Sequence, residues 1–230
     1  LPPHARVTWA HFHPWSIPPE PFDLLVMGIG NSLYKPLLTD RLLALLDRAP
    51  VAVGIFGTQY PALTRPERVA PVLDRLHTWY ARSRADTERY GGRCRTVHLG
   101  DWLIDLFPMA RGTDPETLRV DRAWADGVAL DRAIQRIQRH QRVHSTRLHA
   151  LLCALTSAAA VAYSEQPFRG FPSGKFAALL RDVFGREYPP EEFFPVDRDA
   201  VVAYKTHVRR QLRRLRRDLA RLLPPAAARG

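Results

Sequence analysis

Lysine and cysteine are nearly missing from this chain of 230 residues, which carries three Lys against 31 Arg and only two Cys, Cys94 and Cys153. Two cysteines cannot build a disulfide framework, and both stand in apolar stretches, so a reducing cytoplasmic setting is expected. Long apolar runs are also missing: none approaches the roughly 20 residues of a membrane-spanning helix. The opening Leu1-Pro-Pro-His4 has no basic start followed by an apolar core and does not read as a secretory signal. Three nucleotide and hydrolase signatures are absent as well. No Gly-x-x-x-x-Gly-Lys-Ser/Thr occurs, no Gly-x-Ser-x-Gly occurs, and the one Gly-x-Gly after a strand lacks its third glycine. These gaps exclude a P-loop, a nucleophile elbow and a nicotinamide fingerprint.

What the chain has is arginine. The net charge is +11 and the isoelectric point about 10.4, with 46% hydrophobic and 10% aromatic residues. That apolar share suits a globular protein with a sizeable core. Residues 199–222 hold eight basic groups and two acidic ones, so +6 of the +11 falls on one segment. Arginine so far in excess of lysine, beside abundant Ala, Leu and Pro, reads as compositional bias, and nucleic acid is not the expected partner.

Strand-like and helix-like stretches alternate, which predicts an α/β fold with parallel strands. The expected strands are Asp23–Gly28, Val51–Gly57, Arg95–Gly100, Leu118–Val120, Arg142–His144 and Ala158–Tyr163. The expected helices are Leu37–Leu46, Pro66–Arg84, Val128–Arg139, Arg147–Leu155, Lys175–Phe184 and Asp199–Leu222. The turn-rich stretch 108–117 suggests a boundary, giving units 1–108 and 109–190 and a C-terminal helix and tail from 191 to 230. In the last helix Val201, Val208, Leu212, Leu215, Leu219 and Leu222 form a narrow apolar seam opposite a broad basic face. The seam is expected to pack on the domain or on a second copy as a homodimer. The basic face is either solvated or a contact for an anionic membrane surface or an acidic partner.

Several segments suggest an anion site. Ser145-Thr146 precedes an amphipathic helix whose first turn carries Arg147 and His149, and helix starts attract anions. Gly28-Ile-Gly30-Asn31-Ser32 follows the first strand, where glycines would let the backbone turn and approach a ligand. Arg82 and Arg84 stand at the end of the second predicted helix, either paired with Asp86 or free to grip a phosphate or carboxylate. Glu165-Gln166 ends a strand, and Ser173-Gly-Lys175 opens another helix as a capped, positive start. His11-x-His13 and His140-x-x-x-His144 have ligand-like spacing, but no Cys pair or Glu completes either set, so no metal is expected.

Taken in order, the Gly28-x-Gly30-Asn31-Ser32 segment, Arg82-Ser-Arg84-Ala-Asp86, Gly100-Asp101 and Ser145-Thr-Arg147-Leu148-His149-Ala150 resemble the polysaccharide pyruvyl transferase family over roughly residues 22–184. The resemblance implies two small Rossmann-like domains of GT-B-like type facing across a cleft, here with a long basic C-terminal helix. It implies a transferase that moves a pyruvate unit from phosphoenolpyruvate onto sugar hydroxyls, with no further cofactor, in glycan or exopolysaccharide biosynthesis. Arg147 and His149 fall on the family's helix-start motif, Arg82 or Arg84 on its arginine stretch, and the glycine segment on its Gly-rich loop. Ile29 departs from a position often held by glycine, and the second half is short for the family. Two other readings stay open: a glycosyltransferase using a sugar nucleotide, and a non-catalytic relative that binds a glycan or partner.

Overall fold

The computed structural model describes residues 6–9, 17–121 and 129–223, without the side chains of Gly30, Asn31, Ser32 and Lys35. The fold is α/β, with two four-stranded sheets and, among the described residues, seven α-helices. The chain divides into two compact units, 1–99 with 210–230 and 100–209. The C-terminal helix is therefore not a separate segment. Its residues are shared out between the two units.

In the first unit, β1 (Leu24–Leu33), β2 (Val51–Thr58), β3 (Thr78–Ala81) and β4 (Arg95–His98) pair in parallel and in chain order. The helices are α1 (Asp40–Asp47), α2 (Pro66–Leu73) and α3 (Arg84–Tyr90). Period-two alternation sends β2 side chains to opposite faces. Ala52 and Phe56 join Leu42, Leu46, Val69, Leu73 and Trp79 in one core. Val53 joins Tyr80, Val97, Leu99 and Leu215 in the other, where Leu212, Leu219 and Leu222 also pack. The indole of Trp79 is fully buried and donates Nε1–H to the Phe56 carbonyl at 3.0 Å, so its one polar atom is satisfied.

The second unit holds β5 (Asp114–Val120), β6 (His140–Ser145), β7 (Ala160–Tyr163) and β8 (Phe194–Pro195). The first three pair in parallel and β8 runs antiparallel to β7. Its helices are α4 (Leu130–Arg139), α5 (Leu148–Ala154) and α6 (Lys175–Phe184), followed by α7 (Arg198–Leu222). Both sheets follow chain order, so neither has a reversal of strand order among its described strands.

The apolar seam of α7 is covered by this chain itself. Val201 and Val208 are fully buried in the second unit, and Leu215 packs in the first. The gap in the seam is filled by Tyr204 and Lys205, both buried. Lys205 donates Nζ to the carbonyls of Ile104 and Phe107, around the end of the 3-10 helix Trp102–Leu106. The ammonium there adds a donor to the Ile104 carbonyl, which also accepts the Phe107 N–H at 3.3 Å, and meets the Phe107 carbonyl just past the helix end. Burial pushes the Lys205 ammonium below its ordinary value, helped by nearby Arg209.

Several elements differ from the sequence-based expectation. The long helix 66–84 is instead α2, β3 and the start of α3. Thr78-Trp-Tyr-Ala81 is buried at every residue, and β-prone aromatics there favour a pleated, fully covered strand. The helix expected from Leu37 begins at Asp40, where Thr39 accepts a bond from the Leu42 N–H at its cap; Lys35–Leu37 is a separate 3-10 turn. Residues 114–117, placed in a boundary loop, extend β5, and the two-residue β8 carries no periodic signal at all. Val128 lies outside the described residues, and α4 begins at Leu130.

Candidate functional site

In open parallel sheets ligands meet the carboxyl ends of the strands. In the first unit, Gly28 and Gly30 are not in a turn. They lie inside β1, with register irregularities between Gly28 and Gly30 and between Gly30 and Leu33. Gly28 is not in the left-handed region, and a methyl group there would meet nothing within 4 Å. The segment bulges rather than turns, because the chain keeps pairing with β2 as far as Thr58. The side chains of Asn31 and Ser32 lie outside the described residues.

Arg82 and Arg84 do not end a helix. Arg82 follows β3 and is buried, and Arg84 is the exposed first residue of α3. Ser83 between them caps α3: its Oγ accepts from the Asp86 N–H at 3.1 Å and donates to Asp86 Oδ2 at 2.8 Å. Asp86 also accepts from the Thr58 hydroxyl at 2.6 Å and from the Thr58 N–H at 3.2 Å. This buried carboxylate ties the carboxyl end of β2 to the start of α3.

In the second unit, Ser145 is the last residue of β6 and is fully buried. It does not cap the following helix. Its Oγ accepts from the Arg147 N–H at 2.9 Å and donates to the Arg147 carbonyl at 2.8 Å, folding the strand-to-helix turn on itself. The N-cap of α5 is Arg147, without a side-chain cap, and the helix is only seven residues long. A helix this short lends little macrodipole, so the helix end by itself is a weak attractor for an anion. The Arg147 side chain is half-buried and has no hydrogen bond or ion pair among the described residues; His149 is exposed.

Glu165 and Ser173 come together. Glu165 Oε2 accepts from the Ser173 N–H at 3.0 Å, the Ser173 hydroxyl at 2.8 Å and the Gln166 N–H at 3.2 Å. Ser173 therefore closes the loop after β7 instead of capping α6, whose N-cap is Gly174 in the left-handed region. Lys175 donates Nζ to Gln166 Oε1. Between these contacts Phe168 and Phe171 pair back to back through their N–H and carbonyl groups at 2.9 and 3.1 Å, and both rings stand partly exposed.

One cluster at this edge was not foreseen. His144 sits in register with Arg119 on β5 and Ala162 on β7. Its Nε2 is 3.0 Å from Glu191 Oε2 and 3.1 Å from Ser164 Oγ. Glu191 has a left-handed backbone (φ 67°) and donates its N–H to the Tyr163 carbonyl at 2.8 Å. The donated Ser164 hydroxyl and then the His144 bond and charge, with Arg119 beyond, hold the Glu191 carboxyl below its ordinary value. Arg142, two residues earlier on the same face as His144, stacks its guanidinium 4.1 Å above the Phe193 ring. His144 was legible only as half of a possible ligand pair with His140. The two lie four residues apart on one strand, and His140 instead contacts the Glu116 carbonyl at 3.1 Å. Among the described residues no three His, Cys, Asp or Glu gather in a metal-holding group, and His11 and His13 lie outside those residues. Glu191 comes from a loop 47 residues away, for which the sequence carries no signal.

Comparison of the chain with known protein families, with curated proteins and with solved structures finds no match. The class of protein is therefore defined by the fold: an α/β protein with two mainly parallel four-stranded sheets, in which no described helix is long and apolar enough to cross a membrane.

Proposed function

We propose that this chain is a pyruvyl transferase-like enzyme of GT-B-like class, acting in the cytoplasm. It would move a pyruvate unit from phosphoenolpyruvate onto the hydroxyls of a sugar or glycan acceptor. The observation that carries the reading is Arg147: a cation placed just past the carboxyl end of β6, without a protein partner among the described residues, two positions before the exposed His149. A guanidinium held there suits the phosphate or carboxylate of a small trianion.

In the reaction the methylene carbon of phosphoenolpyruvate takes a proton, and a sugar oxygen bonds to the neighbouring carbon as its hydroxyl proton leaves. A second sugar hydroxyl then displaces inorganic phosphate from that carbon, closing the ketal. An imidazole that titrates near neutrality can deliver the first proton, which is the role assigned to His149. Arg147 clamps the donor. Arg82, Arg84 and Lys175 are further anion-binding candidates. The exposed rings of Phe168 and Phe171 offer apolar faces suited to a sugar ring.

Melting temperature against phosphoenolpyruvate concentration tests the reading, because a ligand of the folded state must raise it. Wild type should gain stability and Arg147→Ala should not. A response to UDP- or GDP-sugars alone would replace this reading with a glycosyltransferase, and no response to any of them would leave a non-catalytic binding protein.

A further inference from the structure

The exposed face of α7 carries an unneutralised arginine group that the proposed reaction does not use. Arg210, Arg213, Arg216 and Arg217 line one cavity of about 300 Å3 and are all exposed. Their spacing of three, six and seven residues puts them on one side of the helix within two turns. Neighbouring arginines are neutralised: Arg209 pairs with Asp105, and Arg214 lies 3.9 Å from Asp218. None of the four has an ion pair or a hydrogen-bonding protein partner for its side chain among the described residues. Four like charges without acids repel one another, weakly at an exposed face, and an external polyanion would relieve that repulsion.

We infer that this face is a docking surface for an anionic phospholipid membrane. Charge complementarity names the occupant, since four or more arginines on one amphipathic helix match a layer of acidic headgroups. The opposite side of the same helix, with Leu212, Leu215, Leu219 and Leu222, is already packed in the core of the first unit. The helix therefore has no apolar face left to insert, and the contact is electrostatic, reversible and strongly salt-dependent. Single-stranded nucleic acid fits less well. Residues 209–222 contain no aromatic side chain on which a base could stack.

Co-sedimentation of the full chain with phosphatidylcholine vesicles, with and without phosphatidylglycerol, tests the inference. Binding should require phosphatidylglycerol and fall steeply as salt rises. Each Arg→Gln change at positions 210, 213, 216 or 217 should lower the partition coefficient roughly fivefold, the equivalent of about 1 kcal/mol per arginine at such a surface. The quadruple variant should lose binding and keep its melting temperature, because the four side chains are exposed and make no hydrogen bond or ion pair among the described residues. The pair Arg41→Gln and Arg68→Gln, exposed positions elsewhere on the same unit, matches the net charge of the double variant Arg213→Gln and Arg217→Gln and should keep most of the binding that the double variant loses. Three results would overturn the inference: no binding to phosphatidylglycerol vesicles, equal loss in the control pair, or displacement from vesicles by duplex DNA at lower concentration than lipid.

Discussion

The Tyr80 hydroxyl on β3 donates to Asp218 on α7 across 2.5 Å, joining residues 138 positions apart in the chain. Arg95 of β4 reaches the same carboxylate at 3.2 Å. This buried polar tie fastens the last turns of the helix to the first sheet, where Leu215 supplies the apolar contact.

Removing the phenol tests that tie. Tyr80→Phe leaves Asp218 one donor short and should destabilise the fold by about 1 kcal/mol. Burial first, and donation to Asp218 second, raise the Tyr80 hydroxyl above its ordinary 10.0. The folded state thus holds that proton more tightly than the unfolded state. The stabilisation is complete below pH 10 and is lost as pH climbs through the higher folded value. Urea unfolding of the wild type should show an alkaline decline above about pH 10 that Tyr80→Phe flattens; equal slopes in both proteins would contradict the tie.

Gly100 is required for two reasons at once. Its φ of +83° is disfavoured for any side chain, and a methyl group there would stand 2.9 Å from both Tyr204 Oη and Val208 Cγ2. The next residue, Asp101, donates its N–H to that same Tyr204 hydroxyl at 2.6 Å. Gly100→Ala should therefore cost about 1–3 kcal/mol, read as a lower denaturation midpoint. Gly92→Ala makes the contrast, since it shares a positive φ but meets nothing within 4 Å, and it should cost less.

Glu191 gives the acid side of the pH profile. Its carboxyl is lowered below the ordinary 4.5, chiefly by the Ser164 hydroxyl and then by His144. A depressed carboxyl contributes stability above its unfolded value and loses it as pH falls through the folded value. Glu191→Gln should remove that component, so its stability should change less than the wild type's below about pH 4.5. The exposed position keeps the effect small, and chemical denaturation at closely spaced acidic pH values is the measurement.

If the proposed pyruvyl transfer holds, His149 and His144 are the two candidate proton donors of the second unit. His149→Ala should lower phosphate release from phosphoenolpyruvate, assayed with a panel of sugar acceptors, by about 10²–10⁴-fold. His144→Gln should disturb the Ser164–Glu191 cluster and stability while leaving more of the rate. The reverse ranking would move the acid to His144.

Much of the architecture was legible. Continuous apolar runs such as Leu24–Met27 and Val51–Phe56 became strands of a parallel sheet, although Val26 on the edge strand β1 stands exposed, and helical spacing in Lys175–Phe184 matches α6 at both ends. Caps and turns were less legible, because Ser145 and Ser173 have the right chemistry to cap a helix yet are held by bonds to Arg147 and Glu165. Local composition cannot choose between two nearby acceptors. The buried strand Thr78–Ala81 differs from the expected helix because four residues that are all buried show no period that separates strand from helix.

Sequence alone determined the class of fold, the narrow seam and the arginine-rich face of α7, since these depend on residue type at fixed spacing along one element. Tertiary structure alone decided that the seam closes on this chain's own sheet through Leu215 and Asp218, and that His144, Ser164 and Glu191 meet. Such contacts join residues far apart in the chain, and they exist only once folding has brought the strands into register.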